Sequence, residues 1–305
     1  MKQHPFVFIA VSALLLTGGT GCKKLLSAAA EAGAGAASAE PKDAPPKETG
    51  TKFTKKGPAV GQKRSEETKT EVNLKLKMLG KDLKLEEVEN QKKDEEVLAV
   101  DGANITKMKV TYTQDDKTQT ENGKAGKTKP TSINGKTYIV SLKDGKVVIQ
   151  NDKEKPAPAK EAALVEKDYH AFGKPDPMTG AIPDRSLKDG EEVPELAEAL
   201  KQEMLSNQRT TGKDDKVSID AAKVTFKGKE GDVGVFDVSM NMKGDAGLFK
   251  MSMPLTGKMS LRVADAWPTT LALDGPINLD LSDKDKAAGV EGTGTLKVTS
   301  TFTYK

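Results

Sequence analysis

Downstream of residue 70 the chain alternates between apolar and polar residues. Val72, Leu74, Leu76 and Met78 share one parity, while Glu71, Asn73, Lys75 and Lys77 take the other. Met108, Val110 and Tyr112 repeat the pattern. A period of two places alternate side chains on opposite faces of a strand, so each run predicts a strand with one dry face. Ile139, Val140 and Leu142 run into Asp144-Gly145, which Val147, Val148 and Ile149 follow. Asp-Gly between two such runs predicts a hairpin, because a type I′ turn needs positive φ at both central residues. Asn134-Gly135 offers a second turn just upstream.

The C-terminal third alternates more cleanly still. Val217/Ile219, Val224/Phe226, Val238/Met240/Met242, Met251/Met253, Met259/Leu261/Val263, Leu271/Leu273 and Ile277/Leu279 are successive sets punctuated by Gly, Asp, Lys and Pro. The last run puts Leu296, Val298, Phe302 and Tyr304 on one face and a series of Thr and Lys on the other. One dry and one wet face predict antiparallel sheet. A meander this long must curl or close, because flat exposed edges aggregate. Helical spacing is convincing only at Val193, Leu196, Ala197, Leu200 and Met204, with Pro194 suited to a first turn. A weaker helix is predicted over residues 160–172, with Gly173 as its C-cap. Residues 83–99 fit either state. The expected fold is mainly β with minor α. It is a long antiparallel meander curled into a half-barrel, barrel or sandwich, with one or two helices between two strand-rich parts.

The N-terminus has a different character. Lys2 precedes an apolar run from Phe6 to Leu16, and small residues Thr17 to Gly21 lead into Cys22, the single Cys of the chain. That run is shorter than the roughly 20 apolar residues a spanning helix needs, and it matches a signal-peptide core. Thr20-Gly21-Cys22 resembles the lipobox of bacterial lipoproteins, with Gly19 standing where that pattern usually carries Leu, Val or Ile. The resemblance implies cleavage before Cys22 and acylation of its thiol, palmitate-type chains included, so that the membrane is a partner through Cys22. Two or more acyl chains hold a protein stably at a bilayer. Lys23 follows Cys22 where Asp commonly retains such lipoproteins in the inner membrane, so the resemblance implies outer-membrane placement.

Residues 1–21 are therefore expected to be a signal peptide. Residues 22–70, rich in Ala, Pro, Lys and Glu, are expected to be a lipidated, disordered tether, since such composition buries too little surface to offset its ordering entropy. Residues 71–305 form the β-rich domain, in two strand-rich parts, 71–152 and 213–305, joined by a partly helical 153–212. No later segment reaches transmembrane length.

Composition narrows the chemistry. One Cys and two His in 305 residues exclude a disulfide framework and multi-Cys or His-rich metal centres, and no cofactor is expected. Aromatics are 4% and the formal net charge is only +3, which argues against nucleic acid as a partner. Gly-x-Ser-x-Gly, Ser-x-x-Lys and His-Glu-x-x-His are absent. Gly126-Lys127-Thr128 lacks the first Gly of a phosphate loop, Glu121 standing there, and Asp283 with Asp285 lacks the rest of a calcium loop. His170 is the sole His left after the signal and stands without a nucleophile signature. Carboxylate runs such as Glu86-Glu87 and Glu95-Glu96 read as solvated surface. A non-enzymatic protein is expected.

Two Met-x-Met pairs, Met240/Met242 and Met251/Met253, lie on neighbouring strands, with Met259 soon after. Met fills irregular cores and also makes pliable ligand-facing walls, and thioethers at this spacing suit Cu(I). An ordinary core accounts best for a set without Cys or His beside it. A ligand-facing wall of Met240, Met242, Met251, Met253 and Met259 is the other reading kept here, with no metal site assigned. The mature part resembles β-rich bacterial envelope lipoproteins in composition and architecture. Three functional readings follow. The first is a binding or structural envelope protein with a protein or cell-wall partner. The second is an amphiphile carrier whose sheet encloses a lipid, as in the lipid-chaperone lipoproteins it loosely resembles. A hydrolase comes last.

Overall fold

The computed structural model describes residues 50–78, 81–169, 172–206, 216–245, 250–280 and 291–305. The lipobox, Cys22, His170, Asp283 and Asp285 lie outside the described residues. The chain is mainly β, with one antiparallel sheet of twelve strands and three helices among the described residues. The first meander runs β1 (Lys63–Met78), β2 (Lys81–Asp101), β3 (Asn104–Glu121), β4 (Lys124–Ala125), β5 (Lys129–Pro130), β6 (Thr137–Lys143) and β7 (Lys146–Asn151). Helices α1 (Ala159–Asp168), α2 (Pro177–Ala181) and α3 (Pro194–Ser206) follow. The second meander runs β8 (Lys216–Glu230), β9 (Val233–Asp245), β10 (Lys250–Arg262), β11 (Pro268–Asp280) and β12 (Glu291–Tyr304). Among the described residues no helix is long and apolar enough to cross a membrane.

The two meanders are one sheet because the first and last strands pair. Arg64 lies opposite Tyr304, and the ladder continues to Lys77 opposite Glu291. The strand order is β7-β6-β3-β2-β1-β12-β11-β10-β9-β8, so the sheet stays open, with β7 and β8 outermost. Both edges are covered by the connection between the meanders. Beside β7, Asn151 N donates to Lys155 O and Ala157 N to Ile149 O. Beside β8, Phe226 N donates to Glu191 O and Val193 N to Val224 O. Unpaired edge groups invite other strands, and here short stretches of the same chain satisfy them.

Most predicted elements are present, with instructive differences. Asp144 (φ 51°) and Gly145 (φ 73°) form the β6–β7 turn with the expected positive dihedrals. The ambiguous residues 83–99 are strand. The weaker helix stops at Asp168, short of Phe172. Asp176 caps α2 by accepting from Thr179 N at 2.8 Å, ahead of Pro177 in the first turn. The strand β1 begins at Lys63, so the chain joins the sheet upstream of the expected tether boundary at 70. An ordered arm precedes it: Thr51 pairs with Leu187, Thr54 N donates to Val263 O, and Phe53 is buried against Phe226 and Phe236. Apparent breaks within β8, β10 and β11 are also strand. In β8 the apolar parity switches between Ile219 and Val224 because a bulge with Ala221 at φ 51° inserts between them.

The interior holds two apolar clusters. The larger packs the inner face of β8–β12 and the far halves of β1 and β2 against α2, α3 and Phe53. The smaller packs β3, β6 and β7 against α1, Tyr169 and Phe172. Tight apposition along the β1–β12 seam requires glycine at 294. A Cβ there would lie 2.4 Å from Asn73 O and 2.6 Å from Leu74 Cδ2. Gly294→Val is expected to lower stability by about 2 kcal/mol or more in urea unfolding, as overpacking does. Thr295→Val, on the opposite face, should leave the midpoint nearly unchanged.

Candidate functional site: a cavity beside a buried charge network

Continuing the parity of Val72, Leu74 and Leu76 backward along β1 brings Thr70, Thr68, Glu66 and Arg64 onto the inner face. The same parity on β2 carries Gln91, Lys93 and Glu95 inward from Leu85. Register then lines these residues up. One row crosses four strands as Tyr112, Lys93, Glu66 and Phe302, and the next as Val110, Glu95, Arg64 and Tyr304. A bulge at Thr113 in β3 keeps Asp115 on the inner side after Tyr112.

This band between the two apolar clusters is charged and buried, apart from Arg64, which is half-buried. Lys93 is 1% exposed, with Nζ 3.2 Å from Glu66 Oε2 and 3.8 Å from Glu95 Oε1. Arg64 Nε donates to Glu95 Oε2 at 2.6 Å, and Tyr169 OH donates to Glu95 Oε1 at 2.6 Å. Tyr112 OH and Gln91 Nε2 donate to Asp168 Oδ2 at 2.8 Å and 3.3 Å. The residues Glu87 and Glu95, read from sequence as solvated surface, are buried. Their runs alternate in a strand, so half of each run points inward.

Burial alone would raise the Glu95 carboxyl, but Arg64, Lys93 and the hydrogen bonds from Arg64 and Tyr169 outweigh it and hold it down at about 2. At Glu66 burial prevails over the attraction of Lys93 and Arg64, and its carboxyl is raised. Burial works against the Lys93 and Arg64 charges, yet Glu66 and Glu95 overcome it and raise both. Burial followed by Glu95 raises the Tyr169 phenol, and burial followed by Asp168 raises that of Tyr112.

Beside this band the sheet and the helices bound a half-open cavity of about 430 Å³. Its sheet wall comes from β1, β2, β3, β10, β11 and β12, including Val97, Met108, Met259, Leu273, Val298 and Phe302. Its roof comes from Phe172, from Met178 and Thr179 of α2, and from Leu200 and Met204 of α3. The arm carrying Lys55, Lys56, Gly57 and Pro58 forms a further wall. That arm is fixed by Trp267 Nε1, which donates to Lys56 O at 3.0 Å, and by Lys56 N donating to Asp265 O at 3.3 Å. Arg262 stacks on Trp267 and Tyr304, 5.1 Å and 4.6 Å from their ring centroids, and pairs with Asp265. Polar residues stand around the whole wall: Arg64, Thr68, Thr70, Glu95 and Ser300 where it meets the charged band, and Lys55, Lys56, Lys174, Asp176 and Glu203 along the arm and the helical side.

The methionines divide. Met259 is on the cavity wall, whereas Met240, Met242, Met251 and Met253 are not among its lining residues. Those four are buried in the larger cluster, and Met242 lies directly opposite Met253. They sit in that cluster, and the cavity wall is built by residues of six strands, the helical side and the arm before β1. Thr128, in the phosphate-loop-like segment, shares a hydrogen bond with Thr118 on the surface. Among the described residues no group of three or more His, Cys, Asp or Glu is placed to hold a metal ion.

No family model matches the chain, and no curated protein matches it. Among solved structures it is similar to lipovitellin, in a structure of lipid–protein interactions in that protein. The match has 7% identity and a TM-score of 0.35, and it covers 81% of this chain and 25% of lipovitellin. The chain thus spans about a quarter of that protein's length.

The depressed Glu95 carboxyl sets the sign of an acid-side effect. Its folded pKa lies below the ordinary value of about 4.3, so its ion pairs stabilise fully above that pH and are lost as pH falls toward 2. Glu66, being raised, favours the fold in its protonated form and offsets part of this loss. Glu95→Gln should cost about 3 kcal/mol at pH 7, by leaving Arg64 and Lys93 short of a partner. It should also lessen the stability decline between pH 4 and 2, to which the lowered Glu161 and Glu191 carboxyls contribute as well. Urea midpoints across pH 2–7 check both, and an unchanged acid slope would contradict the assignment to Glu95.

Proposed function

We propose that this is a lipid-anchored protein of the bacterial cell envelope that binds the apolar part of an amphiphile beneath its curled sheet and performs no chemical step. The observation that carries the reading is the cavity. Its volume falls within the roughly 300–1,000 Å³ usual for small-molecule sites, and an apolar floor of Val97, Met108, Met259, Leu273, Val298 and Phe302 is rimmed by polar and charged residues. The sheet wall and the helical roof belong to different meanders and to the connection between them, so the space is built by the fold as a whole. Binding, rather than a structural role alone, is what this architecture serves.

Anchoring follows from the lipobox resemblance, with Cys22 as the acylated residue and Lys23 favouring the outer membrane. The partners are then the membrane through Cys22 and a lipid or similar amphiphile in the cavity. Changing Cys22→Ala is expected to abolish acyl labelling and to move the protein into the soluble fraction at high salt. Retention of the variant in membranes would refute the anchor.

Filling the cavity tests the binding reading directly. Val298→Trp, in the middle of the sheet wall, should abolish uptake of a fluorescent fatty-acyl probe while leaving the thermal midpoint unchanged or higher. A parent protein that takes up no probe, or a variant that binds it as well, would leave only the partner-binding role.

A further inference from the structure

We infer that the bound amphiphile carries an anionic head, a carboxylate or a phosphate monoester, and that Lys56 and Lys174 hold this head at the open side of the cavity. The assignment rests on the amphiphile reading above and names its ligand class. It follows from sorting the charged residues of the wall by what each already faces. Arg64 Nε donates to Glu95 Oε2 at 2.6 Å, and Tyr169 OH takes the other oxygen of that carboxylate. Lys55 Nζ lies 3.1 Å from Asp184 Oδ1 and donates to Gly180 O at 3.3 Å. Asp176 Oδ1 accepts from Thr179 N at 2.8 Å, and Glu203 is engaged as well. Two cations remain. Lys56 and Lys174 line the cavity, are exposed, and their side chains make no ion pair or hydrogen bond among the described residues.

Their places in the fold suit one ligand group. Lys56 belongs to the arm, which reaches from the end of α2, where Lys55 meets Gly180, to the β2–β3 turn, where Gly57 lies against Ala103. Lys174 stands just ahead of α2, after Phe172 in the helical roof. Both are on the wet rim of a space whose floor is apolar, an arrangement that takes an acyl chain inward and leaves its head in water. A head turned inward would reach the band of Arg64, Glu66, Lys93 and Glu95, where both cations are matched. An anion there would be desolvated beside two carboxylates. At the rim it keeps its water and gains two unmatched cations. A neutral head gains neither, and an ammonium head is repelled by both.

The test measures displacement of an environment-sensitive dye from the full-length mature protein at pH 8. The competitors are dodecanoate, dodecyl phosphate, 1-dodecanol and dodecyltrimethylammonium, each below its micellar concentration. Both anions should bind more tightly than the alcohol or the ammonium, added salt should narrow the gap, and the tighter anion identifies the head. Inorganic phosphate alone should displace no dye, because it lacks the chain. Lys56→Gln combined with Lys174→Gln should weaken both anions about 5–10-fold, as two exposed ion pairs allow, and leave dodecanol unchanged. The unfolding midpoint should not move, since both side chains are exposed. Anions that the parent binds no more tightly than dodecanol, or that the double variant binds as tightly as the parent does, would overturn the anionic head while leaving the amphiphile reading intact. Displacement by inorganic phosphate would overturn it too. If none of the four amphiphiles displaces the dye from the parent, the amphiphile reading fails and this assignment fails with it.

Discussion

The pairing of β1 with β12 is the constraint on which everything else rests. Each meander alone would end in an unpaired strand, with a full row of free backbone groups through what is now the middle of the sheet. Joined, they give one open surface whose remaining edges are covered by the connection between β7 and β8. The seam also fixes which residues meet. It sets Thr68 against Ser300 and Arg64 against Tyr304, and it brings the polar end of β1 beside the aromatic end of β12. The cavity floor is this seam. Its contacts join residues separated by most of the chain, so loop-closure entropy opposes them until the last strand is present.

The charged band is unusual for the interior of a sheet. Taking Arg64, Lys93, Glu66 and Glu95 out of water carries a large desolvation cost, and their mutual attraction offsets it only through good geometry. An apolar band would fold as well or better. What the charges add is discrimination between registers: a slip of one residue would move every carboxylate and cation to the solvent face and bring Lys92 and Asp94 inward. The band also separates two cores that would otherwise merge across β1 and β2. Asp168 and Tyr169 close it from the helical side, Asp168 accepting from Tyr112 of β3 and Tyr169 donating to Glu95.

Much of this fold was legible in the sequence, and the rest was hidden for definable reasons. Alternation exposed β9, β12 and the far half of β1 because their inner positions are apolar. It failed at Lys63–Thr70 and across residues 83–99, where the inner positions are Glu, Thr, Gln and Lys and the two faces look alike. Pro254 and Pro276 read as strand ends, but they lie within β10 and β11, at a place where the ladder between those strands is interrupted. The Met set was visible, and four of its five members lie buried in the larger cluster away from the cavity lining. The cavity was not legible, since its wall draws single residues from distant segments and no local pattern records the β1–β12 register. Extending the parity of Val72 backward would have flagged Thr70 and Arg64 as inward-facing polar residues.

The arm before β1 gives the anchor a particular point of attachment. Phe53 and Lys56 pin it to the body of the protein, and its next residues form part of the cavity wall. On the proposed acylation at Cys22, the tether joins the body at Gly50, beside Leu187, five residues ahead of the stretch that lines the cavity. Between Cys22 and Gly50 lie 28 peptide steps (50 − 22), which reach at most about 100 Å when fully extended. The bilayer and the cavity are then confined to one small volume, and encounter between them becomes intramolecular. On the proposed amphiphile reading, effective concentration set by the leash, rather than the amount of protein, would govern exchange between bilayer and cavity.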